Sequence, residues 1–304
     1  MFTKQRPNLF LAFDAFGTLF APKEPIAKQY SDIARRHGLS GFSDEEIKSS
    51  FHTAFRRESK LHPNYGRDSG LGAQAWWENI IENTFRPFLK DGRNIPWAVT
   101  SGLLHRFASC EGYTVFPDVL PFFSMLRGVK GSPSLSSNWP WERTVVGIIT
   151  NSDDRVPGIL RSFGLKVASR RVGITYDPTI IATEDDDISF TVLSYDVGFE
   201  KPQRPIFDMA LRLLDDQLAK EPYNTSASID SFEKLYVGDD HKKDYIGAIE
   251  AGWNALYIDR AGHLSQYRPN KEALVTVADY QDPGIDLKVI WDLKTLSEWT
   301  PKEL

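Results

Sequence analysis

Apolar side chains fall in short unbroken runs that end abruptly on polar residues. Asn8-Leu9-Phe10-Leu11-Ala12-Phe13 is apolar after its first residue and stops at Asp14-Ala15-Phe16-Gly17-Thr18. Val145-Val146-Gly147-Ile148-Ile149 stops at Thr150-Asn151-Ser152, and Lys234-Leu235-Tyr236-Val237 stops at Gly238-Asp239-Asp240. Runs this short and without alternation predict strands buried on both faces, as in a parallel sheet covered by helices. Ligands of such sheets sit outside the carboxyl ends of the strands. Three polar strand ends therefore converge on one candidate site.

Elsewhere the apolar spacing is helical. Ile26, Tyr30 and Ile33 precede Gly38, a helix stop, and Ser43 with Glu46 forms a capping box ahead of Ile47, Phe51, Ala54 and Phe55. Further helices are predicted over 73–89 and 97–109, with Trp76, Trp77, Phe85 and Phe107 read as helix packing. This block, 22–115, reads as an inserted all-helical second domain. The alternation then resumes: helix 117–127, strand 144–149, helix 154–163, strand 189–194, helix 203–218, strand 234–238, helix 242–251 and strand 254–258. Helix and strand in that order predict an α/β fold with right-handed crossovers. Gly128–Arg143, Tyr176–Asp187 and Glu221–Glu233 read as surface loops, and the acidic run Glu184–Asp187 as a solvated one.

Composition narrows the function classes. The 304 residues, 41% hydrophobic and 25% charged, suffice for one large or two modest domains. With 41 acidic and 36 basic side chains the net charge is −5, which gives no support to a nucleic-acid partner. Cys110, the single cysteine, excludes an intrachain disulfide and, with no Cys/His cluster beside it, a zinc finger. No run approaches the length of a membrane span, and Met1–Pro7 leads into the first strand without the apolar segment of a secretion signal. Lys4 and Arg6 are too short a basic lead for a transit peptide. The expectation is a cytoplasmic protein with a small-molecule substrate and no membrane partner.

The strand ends resemble the haloacid dehalogenase-like hydrolase superfamily. Asp14-Ala15-Phe16-Gly17-Thr18-Leu19 is similar to its first motif, Thr150 to its second, Lys201-Pro202 to its third, and Gly238-Asp239-Asp240 through Asp244 to its fourth. Pro63-Asn64-Tyr65-Gly66 followed by Trp76-Trp77 is similar to the group called haloacid dehalogenase-like hydrolase domain-containing protein 3. The resemblance implies a Rossmann-like parallel-sheet core, 1–21 and 116–304, carrying a helical cap of the C1 type, 22–115.

An aspartate at a strand end can attack phosphorus and divide one hydrolysis into two easier steps. Asp14 is the candidate nucleophile. Phosphate added to these carboxylates calls for a cation, and Mg²⁺ suits oxygen ligands. Asp14 offers one carboxylate; the family pattern adds Asp239 and the Phe16 carbonyl, with Asp240 or Asp244 holding a metal-bound water or orienting Lys201. Asp240 as a helix N-cap and Asp244 as a first-turn acid remain open. Lys201 would neutralise Asp14 and a phosphate oxygen. Thr150 and the Asn151 amide would donate to the same phosphate. Gly17 would allow close backbone approach, and Thr18 would support Asp14 by hydrogen bonding.

One position departs from the pattern. Phosphatases of the superfamily carry a second aspartate two residues after the nucleophile, and here Phe16 stands there. Loss of a general acid/base costs about 10²–10⁴-fold in rate. An aromatic at this position resembles the 2-haloacid dehalogenases, which need no metal, whereas Asp239, Asp240 and Asp244 argue for one. Three readings follow: a Mg²⁺-dependent phosphohydrolase favouring good leaving groups, a carbon–halogen hydrolase, and a catalytically weak protein binding a ligand or partner. Asn64, Tyr65 and Arg67 are either a specificity surface of the cap or a structural turn.

Overall fold

The computed structural model describes residues 6–89, 93–131, 139–173, 186–220, 228–271, 273–278 and 285–301. The strands among them are β1 (Asn8–Phe13), β2 (Phe20–Pro22), β3 (Tyr113–Val115), β4 (Thr144–Thr150), β5 (Phe190–Leu193), β6 (Phe232–Gly238), β7 (Asn254–Ile258), β8 (Val275–Ala278) and β9 (Asp286–Ile290). Seven form one sheet in the order β5-β4-β1-β6-β7-β9-β8. All its pairings are parallel except β8 on β9. The fold is α/β and Rossmann-like, with β1 between β4 and β6 in the sheet interior and helices on both faces.

Alternate residues of β1 enter opposite layers, as the pleat requires. Leu9, Leu11 and Phe13 join Val146, Ile148, Leu235, Phe122 and Ile159. Phe10 and Ala12 join Phe190, Phe207 and Trp253 on the other face. Both faces are covered, which is why the strand reads as a continuous apolar run.

β2 and β3 pair antiparallel, so the chain leaves and re-enters the sheet region side by side. Between them lie helices Ile26–Arg36, Asp44–Leu61, Ala73–Phe85 and Trp97–Arg106. The Ser43 and Glu46 side chains form the predicted capping box. Trp76, Phe85 and Phe107 are buried as expected; Trp77 is only partly so. The helix predicted over 73–89 is α-helical only to Phe85 and closes in a 3₁₀ turn at Arg86–Phe88, because Pro87 has no N–H to continue the ladder.

Several boundaries differ from the sequence reading. The helix expected over 117–127 runs from Val119 to Gly131, shortening the loop predicted from Gly128, of which 132–138 lie outside the described residues. β6 begins at Phe232, inside the predicted loop Glu221–Glu233, after a 3₁₀ turn at Ile229–Ser231. The helix expected over 242–251 opens as a π-helical turn, His241–Ile246, before one α-turn at Gly247–Glu250. β8 and β9 extend the sheet beyond the last expected strand; their mixed burial left no continuous apolar run.

Asp187 is not solvated: it is buried, accepts from the Lys166 amide at 2.8 Å and pairs with Arg127 at 3.2 Å. A buried carboxylate must be paired to be tolerated. Glu184 and Asp185 of the same run lie outside the described residues. No helix among the described residues is long and apolar enough to cross a membrane.

Candidate active site

The β1, β4 and β6 ends bring the predicted residues together. The Asp14 amide donates to the Val237 carbonyl at 3.0 Å, carrying the β1–β6 pairing one residue past the strand and fixing the carboxylate beside Asp239. Asp14, Asp239 and Asp244 each offer an oxygen within 4.8 Å of the others. Lys201 closes the cluster: its Nζ donates to Asp14 Oδ1 at 2.6 Å, Asp244 Oδ1 at 2.6 Å and the Tyr236 phenol at 2.7 Å. Asp14, Lys201, Asp244 and Thr150 are all buried.

Three carboxylates around one ammonium leave excess negative charge, which a buried site disfavours. Burial pushes Asp239 up to about 7, with the charges of Asp14 and Asp244 adding to it. Burial raises Asp244 to about 6 against the pull of Lys201, Asp14 again adding. Burial opposes the charge on Lys201, but Asp14 and Asp244 outweigh it and raise its pKa. The lysine stays cationic at neutral pH and is insufficient to neutralise its neighbours. Hard oxygen donors with surplus charge fit a divalent cation such as Mg²⁺.

Two glycines make the approach possible. Gly17 has φ +80°, and a Cβ there would lie 2.1 Å from Asp239 Oδ2. A Cβ on Gly238 would lie 2.3 Å from the Asp244 carboxylate. Gly17→Ala is expected to lower stability by about 1–3 kcal/mol from the backbone conformation alone and to displace Asp239. Chemical unfolding checks this; an unchanged midpoint contradicts the packing.

Other predicted residues take different partners. Thr18 Oγ1 donates to Asp239 Oδ1 at 3.2 Å, so it supports the second carboxylate where Asp14 was expected. Asp240 accepts from the Lys243 amide at 2.8 Å and pairs with Lys243 at 3.2 Å, the N-cap alternative. Orientation of Lys201 falls to Asp244, whose second oxygen accepts from the Asp240 amide at 2.9 Å. The Phe16 ring meets Phe20 at 4.7 Å and Tyr113 at 5.5 Å between centroids, filling the region where β2 and β3 pair. The Asn151 side chain grips the Lys201 main chain: Lys201 N donates to Oδ1 at 2.7 Å and Nδ2 donates to Lys201 O at 3.0 Å.

Two parts were missed in the sequence. The Tyr236 phenol accepts from Lys201 and donates to the Ile149 carbonyl at 2.7 Å, tying β6 to β4 beneath the site. Its only signal was a polar-tipped aromatic between Leu235 and Val237 in the apolar run that ends the strand. Asp153, fully buried, holds Arg155 at 2.9 Å and accepts from Trp77 Nε1 at 2.7 Å. The Arg155 guanidinium lies 4.2 Å from the Trp77 ring centroid, a cation–π contact. Tyr30, Trp77, Phe107, Tyr113 and Arg155 help line a largely apolar cavity of about 40 Å³.

Residues 10–252 match the family described as haloacid dehalogenase-like hydrolase. The chain belongs to this family. A Schizosaccharomyces pombe protein named only as an uncharacterised hydrolase is 30% identical over 86% of this chain and 95% of its own length. Haloacid dehalogenase-like hydrolase domain-containing protein 3 of Danio rerio is 25% identical over 84% of this chain and 86% of its own. Among solved structures, a HAD phosphatase from Thermococcus onnurineus has a TM-score of 0.50 at 19% identity, covering 95% of this chain and 96% of its own. A 2-haloacid dehalogenase from Pseudomonas syringae pv. Tomato has a TM-score of 0.52 at 18% identity, covering 96% and 99%. Phosphatases and dehalogenases thus share this fold, and the choice between the reactions rests on the residues of this chain.

Proposed function

We propose that this family member is a Mg²⁺-dependent phosphohydrolase acting on a small phosphorylated molecule with a good leaving group. The observation that carries the reading is the surplus of carboxylates: Asp14, Asp239 and Asp244 against Lys201 alone among the described residues. A dehalogenase that works without metal can use Asp244 to hold its lysine, but has no use for the half-buried Asp239 as a third acid. Asp14 and Asp239 would hold the ion with the Phe16 carbonyl, and Asp244 would hold Lys201 and complete the acidic set. When bound, the ion supplies charge neutralisation for the nucleophile and the phosphoryl oxygens.

The chain's own residues supply the rest. Lys201 engages Asp14 Oδ1, so Oδ2 carries the attack on phosphorus. The P–O bond to the leaving group breaks, that group departs with the electron pair, and an aspartyl-phosphate forms on Asp14. Water then attacks phosphorus, releasing inorganic phosphate and the free carboxylate. Thr150 and the Asn151 amide would steady the phosphoryl oxygens by donating hydrogen bonds, Gly17 giving the backbone room to approach. Phe16 cannot protonate the departing oxygen, so alkyl phosphates would react slowly and activated esters faster. We assign 22–115 to a cap that closes over this site and 1–21 with 116–304 to the core, in keeping with the paired β2 and β3 at the junction.

Hydrolysis of an activated aryl phosphate, present with Mg²⁺ and lost in EDTA, tests the reading. Halide release from 2-haloacids that persists in EDTA, with no phosphate release, would replace it by the dehalogenase.

The raised acids add a pH signature. Between about pH 4 and 7 the folded protein holds protons on Asp239 and Asp244 that the unfolded chain has lost. The metal-free protein therefore loses stability as pH rises through that window. Mg²⁺ competes with those protons, so its stabilisation is expected to be small near pH 5 and to grow towards pH 7.5. Thermal melts with and without Mg²⁺ across this range check it; a pH-independent Mg²⁺ shift contradicts it.

A further inference from the structure

A line of contacts runs from the helical block to the nucleophile. Asn64 and Tyr65 are the non-glycine residues with positive φ among those described, at 46° and 58°. Left-handed backbone is costly for a bulky side chain and persists where the surroundings over-determine it. The surroundings here belong to the sheet side of the molecule. Asn64 Nδ2 donates to the Ser194 carbonyl at 2.7 Å, and Ser194 Oγ donates to Asn64 Oδ1 at 2.9 Å. The Tyr65 phenol donates to the Asn151 carbonyl at 3.0 Å. Burial raises its pKa, so it remains a donor throughout any working pH range. Asn151 in turn clamps the Lys201 peptide from both sides, and Lys201 Nζ rests on Asp14.

We propose that Tyr65 is a positioning residue: by holding the Asn151 carbonyl it fixes the Asn151 side chain, and through that clamp it sets Lys201 against Asp14. Seating of the left-handed turn on the core then completes the site, and an unseated turn leaves the lysine loosely placed. The catalytic consequence rests on the phosphohydrolase reading; the mechanical link from Tyr65 to Lys201 does not. A turn serving only its own segment would satisfy its hydrogen bonds within that segment, whereas this phenol reaches the strand end whose side chain holds Lys201. The Tyr65 ring separately packs edge-on against Trp76 at 5.0 Å, so ring and hydroxyl have different tasks.

Tyr65→Phe keeps the ring and removes the hydroxyl. In the full-length chain, hydrogen exchange at the Lys201 amide is expected to quicken about tenfold, the effect of one weakened hydrogen bond, with β7 unchanged. Unchanged exchange at Lys201 overturns the link whether or not any substrate is turned over. With an activated aryl phosphate and Mg²⁺, kcat is expected to fall about tenfold while KM moves less than about twofold. Faster exchange with kcat intact overturns the positioning role. In an Asn151→Ala background, Tyr65→Phe is expected to add almost no further loss in kcat; full additivity shows that Tyr65 acts by another route and overturns the proposal. A wild-type protein inert towards the phosphate overturns the phosphohydrolase reading instead, and the exchange result still decides the link.

Discussion

Asp14→Asn is expected to reduce hydrolysis of an activated aryl phosphate by about 10³-fold or more while leaving the fold intact. The asparagine keeps the shape of the carboxylate and retains an oxygen for Lys201, but it cannot form the acyl phosphate. The variant also removes one of three clustered acids. After burial itself, the Asp14 charge does most to raise Asp239, so its neutralisation lowers the Asp239 pKa and relieves repulsion. The metal-free variant is therefore expected to be at least as stable as wild type at neutral pH, and to gain less from Mg²⁺. Comparison of steady-state turnover and of melting with and without Mg²⁺ separates the two effects. Equal turnover by both proteins rejects Asp14 as nucleophile; a strongly destabilised variant rejects the account of its charge.

What the sequence disclosed follows from where each residue stands. Asp14, Thr150 and Asp239 end apolar runs, and a parallel sheet places such ends along one edge, so their convergence was legible from the pattern alone. Lys201 follows no strand directly; only its resemblance to the third motif marked it. Asp244 depended on the π-helical turn His241–Ile246, whose spacing cannot be read from an ordinary helical period. Tyr236 passed for a core aromatic because its ring is one, and only the third dimension sets its hydroxyl between Lys201 and the Ile149 carbonyl. Asp187 read as a solvated loop acid, and no sequence pattern marked Asp153. Asp187 is reached by the distant Arg127 and the Lys166 amide, and Asp153 by the distant Trp77 indole as well as the neighbouring Arg155, which local patterning does not encode. β8 and β9 escaped for the opposite reason, since part of each strand is exposed and carries weak apolar signal.

The same geometry explains why Phe16 need not disrupt the site. Its ring joins Phe20 and Tyr113, whose contact at 5.3 Å belongs to the β2–β3 junction, and so contributes to apolar packing where an aspartate would have had to be solvated or paired. On the proposed reading, the chain gives up leaving-group protonation and keeps the nucleophile, the lysine and the carboxylates. Selection by leaving-group acidity follows from that arrangement.

Lys201→Met is expected to be the most destabilising change in the site. Methionine matches the length of the lysine stem without the charge, so packing is largely kept and the loss reports electrostatics. Removing one partner of a buried pair costs about 3–5 kcal/mol, because the other charge is left uncompensated. Here two carboxylates lose the same ammonium, Asp14 and Asp244, each at 2.6 Å. The cost depends on pH with a defined sign. Without Lys201, the pull that lowers Asp244 disappears and its pKa rises above the wild-type value of about 6. The folded variant then holds a proton the unfolded chain has lost over a wider window above about pH 4, so the stability deficit is greatest near pH 7.5 and shrinks towards pH 5. Mg²⁺ offers replacement positive charge and is expected to recover part of the stability but little of the turnover, since the ion cannot take over the hydrogen bond that orients Asp14 Oδ1. Urea unfolding at the two pH values, with and without Mg²⁺, measures this. A deficit that is constant in pH would mean that Lys201 contributes packing alone and that the acids around it are neutralised by something else.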